Sequence, residues 1–125
     1  MTDFVDSRQI VSSFLAARLD PNADALDLMD EAFVFESPLM QVTDRDVYLR
    51  NHRGFQVVVK RTRLISELYG PDEATLLYEL ETDMPAVVQK TAEHFRIANG
   101  RIASILVIFD SAPWRPIFEH GQSDS

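Results

Sequence analysis

The sequence predicts an α+β fold in which helices lie on one face of a curved antiparallel sheet, and three observations predict it. In the first half of the chain, apolar residues recur at helical spacing. From about Arg63 onward they form short runs rich in Leu, Ile, Val, Thr, Tyr and Phe. Turn-forming residues separate those runs, and Asn99-Gly100 is the strongest of these signals because both residues tolerate the positive φ of a type I′ hairpin turn. Helices first and sequential strands second is the order of a helix layer packed on an antiparallel sheet.

The first predicted helix runs from Val5 to Leu19, where Ile10, Val11, Phe14, Leu15 and Leu19 share a face and Asp20-Pro21 supplies the stop. A second, short helix follows from about Asn22 to Met29, with Ala25, Leu26 and Met29 on one side and acids on the other. Phe33-Val34-Phe35 reads as a strand closed by Ser37-Pro38, because a residue before proline is pushed toward extended geometry. Thr43, three residues before Asp46, resembles a capping box and opens a third helix reaching about Val58, with Gly54 weakening its far end. Strands follow at about 63–69, 74–82, 87–98 and 101–110, separated by Gly70-Pro71-Asp72-Glu73, Asp83-Met84-Pro85 and Asn99-Gly100.

The chain has 125 residues, 46% of them hydrophobic, which fits one domain over residues 1–120 with Gly121 to Ser125 as a loose tail. Twelve basic residues against 20 acidic ones give a formal charge of −8, opposite in sign to a surface that tracks phosphates, so no nucleic-acid partner is expected. The acids Asp20, Asp24, Asp27, Asp30 and Glu31 fall in a window without bases, whereas Arg45, Arg50, Arg53, Lys60, Arg61 and Arg63 cluster; both read as solvated faces. Absence of cysteine excludes a disulfide framework, a thiolate nucleophile and a Cys-ligated metal. No stretch of 18 apolar residues occurs, and Met1 to Asp6 holds two acids and no Lys or Arg, so the expectation is an unprocessed cytoplasmic protein without membrane contact. His52, His94 and His120 are far apart without metal-ligand spacing, and no metal or other cofactor is expected. Nothing resembles a G-x-S-x-G elbow or a glycine-rich phosphate loop, and there are four glycines in all.

Alternation sorts the faces of the 87–98 strand. Val87, Gln89, Thr91, Glu93, Phe95 and Ile97 form the more apolar set and are expected to face the helices. Glu93 then sits between Thr91 and Phe95 on an inward face, where desolvation raises a carboxyl pKa and favours the neutral form. The alternative is a carboxylate hydrogen-bonded to a neighbour or reaching to the sheet edge. In the last strand Ala103, Ile105, Val107 and Phe109 alternate with Ile102, Ser104, Leu106 and Ile108, so both faces are apolar. Such a strand needs cover on both sides, and a second copy of the chain provides it, which predicts a homodimer.

Three strings carry a resemblance: the first helix with the Asp20-to-Met29 segment, Phe33-Val34-Phe35-Glu36-Ser37-Pro38, and Glu93-His94-Phe95-Arg96-Ile97-Ala98-Asn99-Gly100-Arg101-Ile102. Over roughly Ile10 to Phe109 the sequence resembles the nuclear transport factor 2-like superfamily, in particular its SnoaL-like polyketide cyclase and ketosteroid isomerase branches. The resemblance implies a cystatin-like, cone-shaped α+β barrel, with three N-terminal helices packed in a strongly curved antiparallel sheet. It also implies an apolar pocket at the open end for a small apolar molecule, and dimers packed through the sheets. The isomerase branch uses a carboxylate base before the first strand's proline, with a tyrosine and a protonated aspartic acid as oxyanion donors. Those positions match Ser37, Phe14 and Glu93 here, and only Glu93 keeps a carboxyl, so that mechanism does not carry over. Glu36 is an alternative base, although strand alternation sends it to the side opposite Ser37.

The catalytic candidates are therefore Glu93, His52 and Asp110. Tyr48, His52, Phe55 and Val59 share a face of the third helix, which can turn His52 toward the pocket or bury it as a core residue. Asp110 either joins the chemistry or starts the turn before Ser111-Ala112-Pro113-Trp114. The expected ligand-lining residues are Phe14, Tyr48, Phe55, Tyr78, Phe95 and Phe109, and Trp114 is read as cover for a hydrophobic edge or dimer seam. Two functions follow. One is cofactor-independent acid-base isomerase, cyclase or hydrolase chemistry, with Glu93 as acid and His52 or Asp110 as base on a small carbonyl or epoxide compound. The other is a non-catalytic dimeric ligand-binding or assembly domain.

Overall fold

The computed structural model describes residues 6–118. In chain order the elements are α1 (Ser7–Leu19), a 3-10 turn (Ala25–Leu28), β1 (Met29–Glu36), β2 (Gln41–Val42), α2 (Arg45–Gln56), β3 (Val59–Tyr69), β4 (Glu73–Asp83), β5 (Ala86–Ala98) and β6 (Arg101–Ile108). A helical turn at 115–118 closes the described chain. Val5, His120 and the expected tail from Gly121 to Ser125 lie outside the described residues.

Among the described residues the helical elements are α1, the 3-10 turn and α2, so the second predicted helix is much shorter than expected. The segment from Asn22 to Met29 holds only the four-residue 3-10 turn, because Asp24 makes no side-chain cap and Met29 is already drawn into the sheet opposite Ile102. The expected Thr43 cap is also corrected. Asp44 is the cap of α2, its carboxylate accepting the Val47 N–H at 3.1 Å, where an anion also meets the positive end of the helix dipole. On α1, Asp6 does the same for the Arg8 N–H, and the buried stripe is Ser7, Val11, Phe14 and Arg18. That stripe follows the i, i+4, i+7, i+11 rhythm of a packed helix face.

All six strands form one sheet in the order β2-β1-β6-β5-β4-β3. It is antiparallel except for β1 and β6, which run parallel because α2 carries the chain from β1 to the far edge before the hairpins walk back. The expectation of a wholly antiparallel sheet is corrected at that one seam. Asn99 and Gly100 adopt φ of 54° and 77°, the left-handed geometry of the expected hairpin turn.

Bulges bend the sheet. Leu64 pairs with Tyr78 and Ser66 with Leu77, leaving Ile65 as an extra residue in β3. Arg96 pairs with Ser104 and Ile97 with Ile102, which makes Ala103 the extra residue in β6. Strict alternation would set Ile102 and Ile105 on opposite faces, yet both are buried, at 0% and 1% exposure. The bulge at Ala103 resets the phase between them, so Ile102 joins the core while Leu106 and Ile108 stay outside. Val11, Phe14, Met29, Phe33 and Phe95 complete the core between α1 and the concave side of the sheet. Among the described residues, no helix is long and apolar enough to cross a membrane.

Candidate functional site

On the concave side of the sheet, β4 and β5 present paired residues to the helices: Ala74 with Phe95, Leu76 with Glu93, Tyr78 with Thr91, and Leu80 with Gln89. The expected inward face of β5 is formed, with Thr91, Glu93, Phe95 and Ile97 buried. Three side chains cover this face in order. Phe14 meets Phe95 edge to face, with ring centroids 6.4 Å apart. One helical turn further along α1, Arg18 covers Glu93. Beyond them, Trp114 covers Gln89, donating its Nε1–H to Gln89 Oε1 at 2.7 Å.

Arg18 and Glu93 form a buried ion pair. Arg18 Nη1 donates to Glu93 Oε2 at 2.7 Å and Nη2 donates to Glu93 Oε1 at 3.2 Å, a forked pairing. Arg18 Nη1 also donates to the Tyr48 hydroxyl at 2.8 Å, and the Tyr78 hydroxyl donates to Glu93 Oε1 at 3.1 Å. Both carboxylate oxygens are thus occupied, and the Arg18 and Glu93 side chains are only 9% and 4% exposed.

Of the two readings of Glu93, this geometry favours the hydrogen-bonded carboxylate over the neutral acid. Burial does push its carboxyl upward, but the Arg18 charge, the Arg18 hydrogen bonds and the Tyr78 donor outweigh it, and the pKa lies below the ordinary carboxylate range. Sequence reasoning found the burial and missed the partner. The signal was present, since Arg18 stands four residues after Phe14 and seven after Val11, on the buried stripe of α1.

Burial and the neighbouring Glu93 charge push the Tyr78 hydroxyl up. Burial raises Tyr48 to about 12 against the opposing charge of Arg18. His52 packs along the Tyr48 ring with centroids 6.1 Å apart and contacts Gln56 at 3.4 Å. Its pKa falls to about 3, first through burial and then through the Arg18 and Arg53 charges, with Glu93 opposing, so it is neutral near pH 7.

This neutral histidine makes a testable contribution to acid sensitivity. The unfolded chain takes up a proton at His52 near pH 6.5, while the folded chain resists until about pH 3. Stability is therefore complete above the unfolded pKa and is lost as pH falls, at up to about 1.4 kcal/mol per pH unit. In His52→Asn, urea unfolding between about pH 6 and about pH 5 should show a slope shallower by roughly 1 kcal/mol per pH unit. An unchanged slope would mean that His52 titrates normally in the folded protein.

The structure brings Glu93, Tyr48, Tyr78 and His52 to one place with Phe14 and Phe95 beside them. Asp110 lies elsewhere: its carboxylate accepts the Ala112 N–H at 3.0 Å and its carbonyl accepts from Gln89 Nε2 at 2.6 Å, as a turn-starting residue does. Phe55 and Phe109 pack on Trp114, with centroids 5.6 Å and 6.2 Å away. Among the described residues, no group of three or more His, Asp and Glu side chains is placed to hold a metal ion.

No protein-family model matches the chain, and no curated protein matches it by sequence. Solved structures do match in shape. An NTF2-like protein of unknown function from Cytophaga hutchinsonii superposes with a TM-score of 0.69 at 20% identity, covering 94% of this chain and 99% of that one. A candidate polyketide cyclase from Sinorhizobium meliloti superposes with a TM-score of 0.66 at 19% identity, over 79% of this chain and 93% of that one. A de novo designed protein with a curved β-sheet reaches a TM-score of 0.71 at 12% identity, over 90% and 91%. An architecture shared by natural and designed chains carries no activity of its own, so function rests on the side chains described above.

Proposed function

We propose that this chain, an α+β domain of NTF2-like fold, is a non-catalytic homodimeric assembly domain of the cytoplasm that works without a cofactor. One observation carries the reading: both Glu93 carboxylate oxygens are held by Arg18 and Tyr78, and the adjacent Arg18 charge favours the ionised form. A general acid needs a proton to give, and an oxyanion stabiliser needs a donor aimed at the reacting atom. Glu93 has no such proton, and Tyr78 spends its hydroxyl hydrogen on Glu93. Asp110, a candidate base, has its carboxylate engaged in its own turn.

The convex face supports the dimer. Val88, Leu106 and Ile108 are 60%, 37% and 56% exposed there, with Ala92 paired across to Ile108. Arg61, Arg63, Lys90 and Arg96 interleave with Glu73, Glu79 and Glu81 on the same side. A chain of net charge −8 repels its copy over most of its surface, but this face balances its charges and can complement itself across a two-fold axis. In sedimentation velocity at micromolar concentration, the protein is expected at twice its 14.2 kDa chain mass. Leu106→Lys with Ile108→Lys is expected to give a folded monomer. A monomeric parent protein would end the proposal.

A second reading rests on the same cluster seen from the ligand side. Arg18, Tyr48, His52, Tyr78 and Glu93 are five polar groups converging where burial alone would favour apolar packing, with Trp114 covering the adjoining stretch. In that reading the face admits a small apolar molecule bearing one oxygen once Trp114 moves. Uptake of an apolar fluorescent probe by Trp114→Ala is its test.

A further inference from the structure

Past β6 the chain turns back over the concave side of the sheet, and from Asp110 to Phe118 only Trp114 is buried. Among the described residues, the backbone bonds of this segment are local. The Trp114 and Arg115 N–H groups donate to the Ser111 carbonyl, those of Ile117 and Phe118 to the Trp114 carbonyl, and that of Ala112 to the Asp110 carboxylate. None of these bonds reaches the sheet or the helices, whereas every strand is held in the sheet by its ladder.

Two polar ties fasten the segment to the fold, and one side chain makes both. Gln89 Nε2 donates to the Asp110 carbonyl at 2.6 Å, and Gln89 Oε1 accepts from Trp114 Nε1 at 2.7 Å. Ring contacts of Trp114 with Phe55 and Phe109 accompany them. Within the segment, Pro113 and Pro116 fix φ on either side of Trp114, and Arg115 Nε donates to Ser111 Oγ at 3.0 Å. A stretch ordered within itself, yet tied down at one buried ring and one amide, is a unit with a low opening free energy of its own. We propose that residues 110–118 form a lid that opens as one piece while the sheet stays folded, with Gln89 as its latch. Gln89, Thr91 and Glu93 follow one another on the same face of β5, so lifting Trp114 uncovers the stretch that leads to the Arg18–Glu93 pair. The lid rests on the second reading above only for what passes beneath it, and its opening is measured with no ligand present.

Trp114 is the one tryptophan of the chain, so its indole N–H gives a single signal in hydrogen exchange followed by NMR on the intact protein. Its protection is expected to be about a hundredfold below that of the β5 amides, which exchange on global unfolding, and to stay constant in sub-denaturing urea while theirs falls. Phe14→Leu is expected to lower β5 protection about tenfold and leave Trp114 unchanged, because Phe14 packs on Phe95 and not on the lid. Gln89→Leu keeps the bulk of the side chain and removes both ties, and Trp114 protection is expected to fall about tenfold. Trp114 exchange that matches the β5 amides in protection and in urea dependence would overturn the lid, and unchanged exchange in Gln89→Leu would overturn the latch. Neither result depends on probe uptake by Trp114→Ala, so a failure of the ligand reading is distinguished from a failure of the lid.

Discussion

Arg18→Met is expected to destabilise the protein by about 3–5 kcal/mol at pH 7, because it leaves the Glu93 carboxylate buried without its counter-charge. Glu93 is 3% exposed, and among the described residues Tyr78 is then its one remaining side-chain hydrogen-bond partner. The thermal midpoint should fall by roughly 10–20 °C. Replacing both partners, in Arg18→Met with Glu93→Leu, should recover most of the loss, since a buried ion pair exchanged for apolar packing is commonly neutral in stability. The pH dependence separates this account from a simple packing defect. Without Arg18, burial dominates and raises the Glu93 pKa above its unfolded value, so the variant gains relative stability as pH falls and loses it as pH rises. The gap between parent and Arg18→Met, read from urea unfolding, should therefore narrow toward about pH 4. A gap that stays constant with pH would show that Arg18 acts through its bulk alone.

Trp114→Ala is expected to cost about 3 kcal/mol, a large-to-small change at a side chain only 6% exposed. The loss has identifiable parts: the ring contacts with Phe55 and Phe109, and the Nε1 hydrogen bond, whose removal leaves Gln89 Oε1 without that donor. The 111–118 segment contributes little else to the concave face, so the variant should remain folded while the stretch above Gln89 opens. An apolar fluorescent probe that binds Trp114→Ala and not the parent protein would favour the ligand-binding reading. Folded Trp114→Ala that takes up no probe would show the interior filled throughout and leave the assembly reading alone. Phe118→Ala is a suitable control, being 37% exposed on the same segment.

The legible parts of this protein are those governed by neighbours in sequence. The stripe through Val11 and Phe14 marks α1, alternation from Thr91 to Ile97 marks the inward face of β5, and Asn99-Gly100 marks the last hairpin. Each depends on local geometry: 3.6 residues per helical turn, two per strand repeat, and the positive φ that Asn and Gly accept. Where competing local signals lie close together, the reading fails. Thr43 and Asp44 are adjacent capping residues, and the 22–29 segment is too short for its helical period to outweigh the pull of Met29 into the sheet.

By itself, the sequence determined the α+β order of elements, the burial of Glu93 and the inward turn of its strand. Only the tertiary structure decided what that burial means. Arg18 and Glu93 are 75 residues apart, and no local pattern states that they meet. Their contact reverses the sign of the pKa shift, turning a carboxyl that desolvation alone would neutralise into a paired anion. The same holds for β6, where a single extra residue at Ala103 moves Ile102 inward and leaves Leu106 and Ile108 outside. Alternation is a property of one strand, whereas register and charge state belong to the residues that a strand meets.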